Sequence, residues 1–99
     1  MSVLFYALHQ QLVHTGMSHP NLWLIERRAS LELPWKLSVG FPLSMTHSAL
    51  EFFVHERDRI WKNTHPTAFE GMRIVLMVDG NRIEIGGIEA APGKLTRKW

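Results

Sequence analysis

The chain has 99 residues, 45% of them hydrophobic and 20% charged, with a formal net charge of +2 and no cysteine. That length and hydrophobic share describe one compact domain, 1–99, and exclude a disordered chain. The lack of cysteine excludes disulfides, thiolate metal sites and cysteine nucleophiles, and no apolar run approaches the roughly 20 residues that cross a bilayer.

The first segment, MSVLFYALHQQLVH, carries neither a basic n-region nor a small-residue cleavage site. No signal peptide is expected, and the cytoplasm is the expected compartment. Ser2 caps a predicted helix running to about His14, with Gly16 as its terminator. Leu4, Phe5, Leu8 and Leu12 share one of its faces. A strand over VLFYAL is the rival reading. HTGMSHPN is a loop by its Gly, Ser, Pro and Asn content.

NLWLIERR and LELPWKLSVGF predict an antiparallel hairpin over 22–28 and 31–39, turning near Arg28 to Ser30. The alternative is a helix from Pro20 to Ala29 capped by Ser18. Every odd position from Leu31 to Phe41 is apolar, the alternation of a half-buried strand. Pro34 has no N–H to donate, so this strand belongs at a sheet edge or breaks there.

Ser44 is positioned to cap a second helix through about Lys62. Met45, Ala49, Phe52, Phe53 and Ile60 lie on its apolar arc, opposite His47, Glu51, His55, Asp58 and Arg59. Trp35 and Trp61, on apolar faces, are expected in the core. Pro66 prevents the helix from continuing. MRIVLMVDGNRIEIGGIEA then reads as a hairpin whose Asp79-Gly80 suits the positive φ angles of a type I′ turn. Residues 92–99 read as a basic C-terminal tail. The predicted fold is an α+β two-layer sandwich of order α-β-β-α-β-β, a four-stranded antiparallel sheet with two helices on one face.

Ile74, Leu76 and Val78 point one way from their strand, while Val75 and Met77 point the other. A layer covered on one face by helices has no use for apolar residues on both. Either this chain or a second molecule covers the far face.

Motifs for catalysis are incomplete. His47, Glu51, His55 and Asp58 share a helix face, but His47 and His55 stand roughly 12 Å apart along the axis and make a poor metal site. A solvated helix face accounts for them, and no metal or cofactor is expected. GIEAAPGKL departs from a phosphate loop in its glycine spacing and places Leu95 where Ser or Thr holds magnesium. Ser44 and Ser48 lack a nucleophile elbow.

The expected function is therefore a small non-enzymatic protein-binding module, of inhibitor, immunity or regulatory type, whose partner is another protein or a second copy of itself. Arg73, Val75, Met77, Arg97 and Trp99 are its expected contact residues, since Met, Trp and Arg suit recognition surfaces. The alternative is nucleic-acid binding through Arg27, Arg28, Lys94, Arg97, Lys98 and Trp99, although acidic residues interrupt any basic stripe.

Overall fold

The computed structural model describes residues 21–63 and 65–98. The helix expected from Ser2 to His14 lies outside them. The described elements are β1 (Leu22–Arg28), β2 (Lys36–Pro42), a 3-10 turn (Leu43–Met45), α1 (Thr46–Trp61), β3 (Glu70–Val78), β4 (Asn81–Ala91) and β5 (Lys94–Lys98). The strands form one antiparallel sheet in the order β2-β1-β3-β4-β5. The class is α+β, but the sheet has five strands rather than four, and one described helix rather than two.

The fifth strand replaces the expected basic tail. Pro92 and Gly93 sit between β4 and β5, and Gly93 has φ +76°. Proline followed by a glycine at positive φ is the combination a type II turn requires. That reversal returns Lys94 to Lys98 along Gly87 to Ala91. The β3–β4 turn forms as predicted, with φ 51° at Asp79 and 79° at Gly80.

The first hairpin is shorter than expected on its second side. Residues 29–35 form a loop, and β2 starts at Lys36, two residues after Pro34, on the sheet edge. The stripe from Leu31 to Phe41 is also divided between faces. Ile25 pairs with Val39 while Glu26 pairs with Leu37, leaving Ser38 as the extra residue of a bulge. Val39 and Phe41 therefore face α1, whereas Leu37 faces the other side. Arg27 Nε donates to Ser38 Oγ at 3.2 Å and holds the bulge.

The helix carries the chain from edge strand β2 across the sheet to β3. Ala49, Phe53 and Ile60 pack on Trp23, Ile25, Met72, Ile74, Ile88 and Ala90. Their spacing of four and seven residues forms one stripe along α1. Phe52 extends the contact, with its ring centroid 6.0 Å from that of Phe41. Ser44 does not cap the helix, which begins at Thr46 after the 3-10 turn. Thr46 Oγ1 instead donates to the Leu43 carbonyl and accepts from Trp23 Nε1 at 2.8 Å, tying the helix start to β1. Trp61 is exposed rather than core, and Arg97 stacks on its ring at 4.6 Å.

Glu56 occupies the same inward stripe, between Phe53 and Ile60. It meets Arg27 on the α1-facing side of β1 at 2.8 Å. Arg59 bonds both Glu56 and Glu70, and Arg27 also approaches Glu70, so four alternating charges close one end of the core. Burial pushes the Glu56 carboxyl up, but the Arg27 hydrogen bond and the charges of Arg59 and Arg27 outweigh it, holding the group below its ordinary value. The hydrogen bond to Glu70 likewise raises Arg59.

A depressed carboxyl stabilises the fold fully above its unfolded value and ceases to do so as pH falls through the folded value. Glu56→Gln should lower stability at neutral pH and flatten the acid limb of the stability curve. Urea midpoints measured from pH 7 down to pH 3 check this; equal acid slopes for both proteins would contradict it.

Candidate functional site

The sheet face away from α1 carries Leu22, Leu24, Glu26 and Arg28 of β1. Beside them lie Gly71, Arg73, Val75 and Met77 of β3, and Arg82, Glu84, Gly87 and Glu89 of β4. Three arginines and three glutamates thus share a surface with an apolar end. Glu26 is 7% exposed, and one of its oxygens accepts from Arg73 Nε and Arg82 Nη2, both at 2.8 Å. Arg73 also reaches Glu84 at 3.5 Å, and Arg28 bonds Glu89 at 2.8 Å. A carboxylate this far from water requires such partners, because desolvation penalises it otherwise.

Trp35, expected in the α1-side core, lies instead over this array. The guanidinium carbons of Arg28 and Arg73 stand 4.3 and 4.4 Å from its ring centroids. Arginine side chains favour such stacking because the aromatic face is electron-rich. Gly71 helps to seat Arg28. A Cβ there would lie 3.2 Å from both the Arg28 stem and the Phe69 ring, so only glycine leaves that space free. Trp35 thereby pins the end of the 29–35 loop to two neighbouring strands.

Two hollows flank this pin. One, of about 370 Å³, lies between Trp35 and the Glu84, Gly87, Glu89 and Thr96 region of β4 and β5. Two of its arginines, Arg28 and Arg73, already pair with its glutamates Glu89 and Glu84. The second, of about 420 Å³, runs under the loop and is lined by Leu33, Pro34, Lys36, Leu37, Phe69 and Gly71, among others. Leu33, in its wall, is 46% exposed, and Leu31, on the same loop, 62%.

The expected contact residues are dispersed. Arg73, Val75 and Met77 do share the outer face, but Val75 is 2% exposed, buried by the chain itself. Met77 is half-buried, with Arg82 Nη1 3.9 Å from its sulfur. Arg97 points to the opposite face, against Trp61. Trp99 lies outside the described residues. Among the alternative cations, Arg27 pairs with Glu56 on the α1 side and Arg28 with Glu89 on the outer side, while Lys94 is exposed at the β4–β5 turn.

The histidine set does not converge either. His47 turns to Glu51 at 3.3 Å, His55 to Glu56 at 3.4 Å, and Asp58 to Arg57 at 3.5 Å. Among the described residues, no group of three or more His, Asp or Glu is placed to hold a metal ion, and no helix is long and apolar enough to cross a membrane. Sequence reasoning missed Leu31 and Leu33 as surface residues. The signal was Pro34, which ends the strand alternation that had assigned them to a buried face. Comparison with family models, curated proteins and solved structures gives no match.

Trp35→Ala removes both stacks and should cost about 1–3 kcal/mol. It should also accelerate tryptic cleavage at Lys36; unchanged cleavage would mean that the loop is held by something else. Glu26→Ala leaves Arg73 without its short-range partner and should cost about 3 kcal/mol in urea unfolding, the lower end for a broken buried pair because Arg82 reaches water.

Proposed function

We propose that this chain is a non-enzymatic protein-recognition module whose contact surface is the 29–35 loop and the groove beneath it. The carrying observation is the exposure of Leu31 and Leu33 on a loop anchored by Trp35. An exposed apolar pair on a floppy segment is ordinary. On a pinned loop, the same pair is preorganised, which lowers the entropy lost when a partner docks. Leu33, Pro34, Leu37 and Phe69 supply the apolar part of the surface, and exposed Lys36 supplies a cation at its rim.

The partner that fits is a protein presenting apolar side chains beside an acidic group. This reading keeps protein recognition as the function and locates it away from Val75. Nucleic acid is less well served, since Arg27 and Arg28 already hold carboxylates and lie on opposite sheet faces. An inhibitory or regulatory role is consistent with a small domain that acts by occupying a surface of its target.

A photo-crosslinking residue placed at position 31, expressed in the native host, should give one discrete protein adduct. The same residue at position 62, beyond α1, should not. Leu33→Asp should abolish the adduct while leaving the free energy of unfolding in urea within about 0.5 kcal/mol, as exposed substitutions generally do. No adduct at 31, or equal adducts at 31 and 62, would overturn the reading.

A further inference from the structure

The 29–35 loop is fixed at its apex as well as at its base. The Leu33 N–H donates to the Ser30 carbonyl at 3.3 Å, which closes a turn with Leu31 and Glu32 at its corners. Arg28 Nη1 reaches the Leu31 carbonyl at 3.5 Å, and Arg28 is itself held by Glu89 and Trp35. Leu31 is therefore an exposed apolar knob on a held backbone. The groove of about 420 Å³ has Leu33, Pro34, Leu37 and Phe69 in its walls, and Leu31 is not one of them. Knob and socket lie side by side on one surface.

That surface also carries charge of both signs. Glu32 and Lys36 are exposed, and among the described residues no ion pair reaches either side chain. In the sheet, by contrast, Glu26, Glu56 and Glu89 each bond an arginine. Four residues of chain separate positions 32 and 36, a span of at most about 14 Å. Both charges thus fit within one small interface around the leucines.

The partner chemistry that suits this surface is apolar side chains beside an acidic group, and the apex of the loop has that chemistry itself: Leu31 and Leu33 flank Glu32. A two-fold axis between loop and loop would set each Leu31 at the other copy's groove and each Glu32 against the other's Lys36. An isologous contact needs a patch that carries both halves of every pair, and this one does. The two charges sum to zero, so the patch does not repel a second copy although the chain carries a net +2.

We infer that two copies of this chain associate through the 29–35 loop, each Leu31 seated in the other's groove and each Glu32 paired with the other's Lys36. The inference rests on the loop being the contact surface and names a second copy as its occupant. Self-association and capture of a different target then exclude one another.

Sedimentation equilibrium of the purified chain reads the association directly. The weight-average mass should rise with concentration towards twice that of the monomer, and Leu31→Asp should hold it at the monomer. Glu32→Lys and Lys36→Glu each oppose like charges across the axis. With circular dichroism unchanged, each should weaken association by about tenfold or more. An equimolar mixture of these two variants restores both opposite-charge contacts and should recover the doubled mass. A wild-type mass that stays monomeric, a dimer that survives Leu31→Asp, or a mixture no stronger than its components would overturn the inference. If a crosslinker at position 31 captures a different protein in the host while the purified chain stays monomeric, the second copy is excluded and the contact surface stands. If position 31 captures nothing in either setting, both fall.

Discussion

Charge placed on interior strands of a sheet, where side chains are largely withdrawn from water on either face, must find a partner inside the chain. β1 and β3 carry Glu26, Arg27, Arg28 and Arg73 on such strands. Leaving any one of them unpaired would cost more than a typical surface pair returns, since desolvation acts on the bare ion. Much of the architecture follows from meeting that demand. Glu56 interrupts an otherwise apolar helix stripe because Arg27 points at it. Glu84 and Glu89 line the outer side of β4 because Arg73 and Arg28 point at them. Trp35 folds back over the same arginines and covers what the carboxylates leave open.

The elements that were legible in the sequence are those governed by local chemistry. Asp79-Gly80 specified its turn through backbone conformation alone, and the spacing of Ala49, Phe53 and Ile60 marked the inner face of α1 before any tertiary contact was known. The alternation of Ile74, Leu76 and Val78 against Val75 and Met77 correctly separated two apolar faces. β5 was not recognised because Lys94, Arg97 and Lys98 hid a short alternating strand behind a basic composition, although Pro92-Gly93 announced the reversal. The face of Trp35 was unreadable for a different reason. A bulge changes side-chain direction without leaving a residue pattern, and Ser38 has nothing in its identity that marks it.

The candidate surface shows the same division. Leu31 and Leu33 matched the strand period and were therefore assigned inward, yet Pro34 removed the hydrogen bond that a continuous strand would need. Their exposure is a consequence of where β2 begins to pair with β1, at Lys36. Arg73 and Arg97, grouped by type in the sequence, belong to opposite faces because their strands differ in register by parity. Residue chemistry named plausible participants; the sheet decided which of them are neighbours.

The extra residue at Ser38 makes the edge strand answer to two masters. A single alternating sequence supplies Val39 and Phe41 to the helix side and Leu37 to the reverse side only because the ladder skips once. Were β2 to zip onto β1 without that skip, its sidedness would invert, delivering Trp35 and Leu37 beneath the helix and stripping the outer arginines of their aromatic cover. One serine hydroxyl gripped by a guanidinium thus helps to keep this strand in its bulged register, and a slip of one residue there would turn the side chains beyond it to the wrong face.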